Sequence, residues 1–126
     1  MLKILFADDE RNMRILVSDF LEMEGYKVLL AVDGEEALQK FYENLDLSLI
    51  ILDIMMPRMS GIETIKRIRA DKKFKGVPVL ALTAYAMLEN KNVIEKNGFN
   101  GLITKPVNSK LLESKIKESI KTKVTV

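Results

Sequence analysis

Two stretches, "LSLIILD" over residues 47–53 and "VPVLALT" over residues 77–83, are apolar almost throughout and show no alternation. A strand with one wet face alternates apolar and polar residues. A run that does not alternate must be covered on both faces, and the architecture that does this routinely is a parallel sheet with crossover helices packed on either side. Each run also ends abruptly in a polar residue, Asp53 or Thr83.

Three further short apolar runs, Leu2 to Ala7, Lys27 to Ala31 and Gly101 to Thr104, join Ser48 to Leu52 and Val77 to Leu82 as strand candidates. Segments of helical period separate them, so the chain reads as five strand-helix pairs. In the first helix Met13, Leu16, Val17, Phe20 and Leu21 follow the i, i+3, i+4, i+7, i+8 stripe, and Gly25 supplies a left-handed end. The second opens at Asp33 with Glu36 three residues on, an acidic analogue of the capping box, and turns Ala37, Leu38, Phe41 and Tyr42 inward. The third opens at Ser60 with Glu63 and buries Ile62, Ile65 and Ile68. A fourth runs from Met87 to Lys96 before Gly98, and a fifth starts near Asn108 with Leu111, Leu112, Ile116 and Ile120. The expected fold is α/β: a five-stranded parallel sheet with crossover helices on both faces.

The 126 residues, 48% hydrophobic, suit one compact domain that buries roughly two-thirds of its unfolded surface. The chain has no Cys and no His, which removes disulfides, zinc and iron-sulfur ligation, thiolate nucleophiles and imidazole bases together. Chemistry must therefore use carboxylates, hydroxyls and lysines. With no charged-then-apolar leader and no apolar run near 18 residues, a cytoplasmic location is expected, with no membrane contact. A formal charge of +2 gives no reason to expect direct nucleic-acid binding. Six lysines between Lys105 and Val126 read as a solvated helix face with cations towards its C-terminus.

In an open parallel sheet all strands deliver their C-terminal ends to one edge, where ligands bind. Asp8 and Asp9 follow the first strand, Asp53 the third, Thr83 the fourth and Lys105 the fifth. Singly, each has an ordinary explanation: a helix cap, a satisfied hydroxyl, a surface charge. Together they bring three carboxylates, a hydroxyl and an ammonium to one cleft. Two like charges about 4 Å apart repel by roughly 4 kcal/mol at an effective dielectric near 20, more than one lysine offsets among three acids. Either one carboxylate has a raised pKa, or a divalent cation sits among them. Mg²⁺, which takes one or two carboxylates plus waters and phosphate oxygens, fits that ligand count. A phosphate ligand would explain Thr83 and Lys105, and the available nucleophile is a carboxylate, which can form an aspartyl-phosphate.

The segments "ADDE", "LDIMMPRMSG", "LTAYA" and "TKP" closely resemble the signature of response-regulator receiver domains, and the resemblance spans essentially the whole chain. It implies a doubly wound, flavodoxin-like sheet of strand order 2-1-3-4-5, and a stand-alone receiver of a two-component or phosphorelay system over residues 1–126, with no output domain. Asp53 would be the phosphoacceptor. Asp8, Asp9, Asp53 and the Met55 backbone carbonyl would hold Mg²⁺, with Asp9 a direct ligand, Asp8 acting through water and Glu10 a first-turn helix acid. Lys105 and Thr83 would grip phosphoryl oxygens, and the Lys105–Pro106 bond would be cis. The implied partners are a histidine kinase or histidine phosphotransfer protein and a downstream protein target reached through the fourth helix, fifth strand and fifth helix, the chain being a monomer or weak dimer. It would not be an enzyme beyond accepting the phosphoryl group and slowly losing it.

One position departs from the family pattern: Leu102 stands where receivers usually carry Tyr or Phe, so Tyr85 or Phe99 is expected to carry the conformational signal. Met55 and Tyr85 are expected to shield the acceptor from water. Two other classes share parts of this pattern. A Mg²⁺-dependent phosphohydrolase with an aspartyl-phosphate intermediate would place its two Asp one residue apart on the first strand. A flavodoxin-like binding module would want a Gly- or hydroxyl-rich phosphate loop where three acids stand.

Overall fold

The computed structural model describes residues 2–72, 76–84 and 91–124, and for 91–93 and 121–124 the backbone alone. Five strands, β1 (Lys3–Ala7), β2 (Lys27–Ala31), β3 (Leu49–Asp53), β4 (Val79–Thr83) and β5 (Gly101–Thr104), alternate with α1 (Arg11–Met23), α2 (Gly34–Glu43), α3 (Gly61–Ala70), α4 (Lys91–Lys96) and α5 (Ser109–Val124). The strands form one sheet in the order β2-β1-β3-β4-β5, every pair parallel. Both non-alternating runs lie inside it, and all five residues of β3 and of β4 are buried. The part of the expected fourth helix from Met87 to Asn90 lies outside the described residues.

Successive strand residues point to opposite faces, so each apolar run feeds two cores. Leu5, Ala7, Ile50, Leu52, Val79 and Ala81 pack with Ala37, Leu38 and Phe41 of α2, Ile65 and Ile68 of α3, and Ile94 of α4. Ile4, Phe6, Leu49, Ile51, Leu80, Leu82 and Ile103 face the other way, onto Val17 and Leu21 of α1 and Leu112 and Ile116 of α5. The two-sided demand read from the sequence is met in this way. Ile65 and Ile68 have no solvent exposure, and truncating either to Ala should cost about 2–5 kcal/mol.

Helix ends follow local chemistry. Asp33 accepts a hydrogen bond from the Glu36 amide (2.8 Å) while the Glu36 side chain accepts one from the Val32 amide (2.7 Å), and Ser60 accepts from the Glu63 amide (3.2 Å). Caps of this kind contribute about 1 kcal/mol each. Gly25 and Gly98 end α1 and α4 at φ of 91° and 96°, and the next amide in each case reaches back five residues, Tyr26 to Leu21 and Phe99 to Ile94.

Three apolar residues assigned inward by the stripe are largely exposed: Leu16 (56%), Tyr42 (48%) and Leu111 (42%). A helix advances about 100° per residue. Each of the three adjoins a residue that takes the inward place: Val17, Phe41 and Leu112, respectively. The sheet-facing strip is thus narrower than the apolar stripe.

Candidate functional site

The parallel register sets Thr83 beside Thr104 and Asp53 beside Leu82, so the polar residues that end the strands share one edge. Asp8, Asp53 and Thr83 are buried there, whereas Asp9 is exposed. Carboxylate oxygens of Asp8, Asp9 and Asp53 lie within 4.8 Å of one another. Lys105 is placed by its backbone, whose amide donates to the Thr83 carbonyl (2.8 Å). Its Nζ stands 3.1 Å from Asp8 Oδ2 and 3.1 Å from Asp53 Oδ2. The Lys105–Pro106 peptide bond is cis.

One cation between two carboxylates leaves an imbalance. Burial first, and the Asp8 carboxylate second, push the Asp53 pKa up to about 6 against the pull of Lys105. Burial also opposes charge on Lys105, but Asp53 and Asp8 outweigh it, and its pKa is raised. Asp8 Oδ2 is buried and, although Lys105 is at ion-pair distance, has no hydrogen-bond partner. A buried carboxylate oxygen without a hydrogen bond, within reach of two more carboxylates, is a donor set suited to a hard divalent cation.

The three clustered acids do not cap α1 through their side chains. Glu10 takes the N-cap position, not the first turn, and its carboxylate makes no capping bond. Asp8 Oδ1 instead accepts from the Glu10 amide (2.9 Å), and Arg14 donates to the Asp8 carbonyl (2.8 Å), which fixes the turn after β1.

The segment 54–60 that follows Asp53 is tied down at several points. The Met55 amide donates to Asp53 Oδ1 (3.1 Å), and the Gly61 amide to the Ile54 carbonyl (2.9 Å). A side chain at 61 is impossible without movement, since a Cβ there would lie 2.5 Å from the Asp53 carbonyl oxygen. The first turn of α3 is therefore seated directly on the end of β3. Arg58, with φ of 64°, sends its guanidinium to Asp33 at the start of α2. Nothing in the local sequence announces this contact, which joins residues 25 apart.

Among the remaining expected site residues, the Met55 side chain is exposed, Leu102 is partly buried against the core beneath α2, α3 and α4, and Phe99 is buried within that core. Tyr85 lies outside the described residues.

A family model for the response regulator receiver domain matches residues 4–117. The chain is 34% identical over 116 residues to the chemotaxis protein CheY1 of Helicobacter pylori, covering 91% of this chain and 94% of that protein. It is 36% identical over 115 residues to the transcriptional regulatory protein CpxR of Escherichia coli, covering 91% of this chain and 47% of the relative. The chain thus spans about half the length of that transcriptional regulator. Among solved structures, the chemotaxis protein CheY4 of Vibrio cholerae superposes with a TM-score of 0.88 at 35% identity, over 94% of this chain and 98% of the other. The receiver domain of Ssk1 from Saccharomyces cerevisiae, solved with the histidine phosphotransfer protein Ypd1, gives 0.89 at 30% identity, over 99% and 92%. The chain belongs to the response-regulator receiver domain family, the receiving module of two-component and phosphorelay signalling. Among the described residues, no helix is long and apolar enough to cross a membrane.

Proposed function

We propose that this chain is a phosphoacceptor switch that takes a phosphoryl group from a phosphohistidine onto Asp53 in a Mg²⁺-dependent reaction. The observation that carries this reading is the ring of charge at the sheet edge, where Asp53 sits beside Asp8 and Asp9 with Lys105 Nζ 3.1 Å from Asp8 and Asp53 alike. A carboxylate oxygen of Asp53 attacks phosphorus. The P–N bond of the donor breaks, and the imidazole nitrogen keeps the electron pair and takes up a proton.

Asp9, Asp53 and the Met55 carbonyl would hold the ion directly, and Asp8 would act through water. When bound, Mg²⁺ supplies the positive charge that offsets the clustered carboxylates and the incoming phosphoryl oxygens. Lys105 is then released from part of its carboxylate pairing and binds a phosphoryl oxygen, and the Thr83 hydroxyl binds another. Neither residue turns over a substrate: the chain accepts one group and later loses it to water. Burial first and the Asp8 carboxylate second raise the Asp53 pKa to about 6, so the nucleophilic carboxylate already predominates at neutral pH, and a bound cation would keep it ionised in more acidic conditions.

The phosphodonor is a histidine kinase or a histidine phosphotransfer protein, and output passes through α4, β5 and α5 to a downstream protein target. The solved pairing of Ypd1 with the Ssk1 receiver, whose fold this chain shares, supports that class of donor. The test is transfer of labelled phosphate from a panel of autophosphorylated histidine kinases and phosphotransfer proteins. Rapid, Mg²⁺-dependent labelling from at least one is expected. No labelling from any of them, or from acetyl phosphate, would overturn the reading.

A further inference from the structure

The segment 54–60 carries Met55, whose amide holds Asp53 Oδ1, and it reaches another element through the side chain of Arg58. Arg58 adopts φ of 64°, a left-handed conformation that disfavours any residue with a Cβ and that glycine would accept freely. A strained arginine at such a position needs a compensating contact. Its Nε donates to Asp33 Oδ2 at 2.7 Å, and a second guanidinium nitrogen contacts the same oxygen. Asp33 is itself buried, and its other oxygen, Oδ1, accepts from the Glu36 amide that starts α2. One carboxylate therefore divides its oxygens between a helix end and the loop beside the acceptor. Gly34 next to it packs so closely on that region that a Cβ would lie 2.7 Å from the Met59 carbonyl oxygen and 2.2 Å from the Thr64 hydroxyl. The N-terminus of α2, the 54–60 loop and α3 are thus in direct contact around the Asp33–Arg58 pair.

We propose that Arg58, anchored on Asp33, is a positioning residue for the phosphoacceptor site: it fixes the 54–60 loop so that the Met55 backbone is held in register with Asp53. The inference rests on the phosphoacceptor reading, because it assigns the loop's rigidity to presenting Met55 for metal and phosphoryl binding. The side chain of Arg58 is itself 60% exposed and its guanidinium bonds to Asp33, so its effect on Asp53 passes through the loop.

The test compares wild type with Arg58→Gly, Asp33→Asn and the double variant. Glycine relieves the left-handed strain and asparagine still caps α2, so both single variants should melt cooperatively, Arg58→Gly near the wild-type temperature and Asp33→Asn somewhat below it at neutral pH. Mg²⁺ affinity by calorimetry is expected to fall on the order of tenfold in either variant, the scale seen when an outer support of a metal site is lost. Amide exchange at Met55 in the metal-free protein should quicken by a similar factor. The double variant should be no worse than the weaker single, since both remove one contact. Wild-type Mg²⁺ affinity together with unchanged Met55 exchange in both single variants would overturn the positioning role, as would additive losses in the double. A wild type that itself takes up neither Mg²⁺ nor phosphate would instead strike the phosphoacceptor reading, so the two failures are distinct.

Discussion

Asp33 and Asp53 are both buried aspartates beside a cationic side chain, yet they are driven in opposite directions. At Asp33 the Glu36 amide, acting against burial and helped by Arg58, holds the carboxyl below its ordinary value. At Asp53 burial and the neighbouring Asp8 carboxylate prevail over Lys105 and lift it to about 6. The difference lies in what each oxygen meets. Asp33 Oδ1 and Oδ2 each have a strong donor to themselves. Asp53 shares its ammonium with Asp8 and has the Met55 amide as its other partner. Full satisfaction makes a carboxylate structural, whereas shared, incomplete satisfaction leaves one poised for a cation and an electrophile.

The harshest way to break the contrast is to remove the shared cation. Lys105→Ala leaves two buried carboxylates facing each other and should cost about 3 kcal/mol without Mg²⁺ at about pH 8. The loss should shrink towards pH 5 as Asp53 takes a proton, which urea melts at the two pH values would show.

Opposite pH slopes sharpen the contrast. The folded protein binds the Asp53 proton more tightly than the unfolded chain does, so stability without Mg²⁺ falls as pH rises from 3.8 to about 6 and stays lowered above that. Asp53→Asn should abolish this slope and raise stability near pH 7 by about 1–3 kcal/mol. Asp33 works the other way: its contribution is present above 3.8 and is lost as pH falls through its lowered folded value. Asp33→Asn should therefore flatten the acid limb of the stability curve and leave the Asp53 slope in place.

Much of this architecture is legible in the sequence. The unalternating runs of β3 and β4 demand cover on both faces, and parallel strands then force Asp8, Asp53, Thr83 and Lys105 to one edge. The Asp33 and Ser60 caps and the glycine ends at 25 and 98 are local chemistry and were equally legible. What the sequence does not carry is the outcome of competition among neighbours. Leu16, Tyr42 and Leu111 fit the apolar stripe but lose the inward place to the next residue around the helix or the one before it. Between capping and metal binding the sequence of "ADDE" was ambiguous, and it is the Glu10 N-cap, with no side-chain bond, that removes the capping explanation. The Arg58–Asp33 pair joins residues 25 apart through a left-handed backbone, and neither periodicity nor propensity encodes such a contact.

A smaller effect concerns how long the phosphoryl group stays. Met55 is exposed two residues beyond Asp53, and if Asp53 carries the phosphoryl group as proposed, a bulky apolar side chain there would keep water from the acyl phosphate. Met55→Asn should speed loss of phosphate by roughly a factor of a few without altering Mg²⁺ affinity, as followed by decay of the labelled protein.

The assignment of Asp53 is tested most directly by intact-protein mass spectrometry after incubation with acetyl phosphate, with Mg²⁺ and with chelator, on wild type and Asp53→Asn. Wild type should gain a single phosphate with Mg²⁺ and none with chelator, and the phosphate should map to Asp53. The variant should stay unmodified while retaining a cooperative melt. Equal labelling of wild type and Asp53→Asn, or labelling of wild type that is indifferent to Mg²⁺, would contradict it.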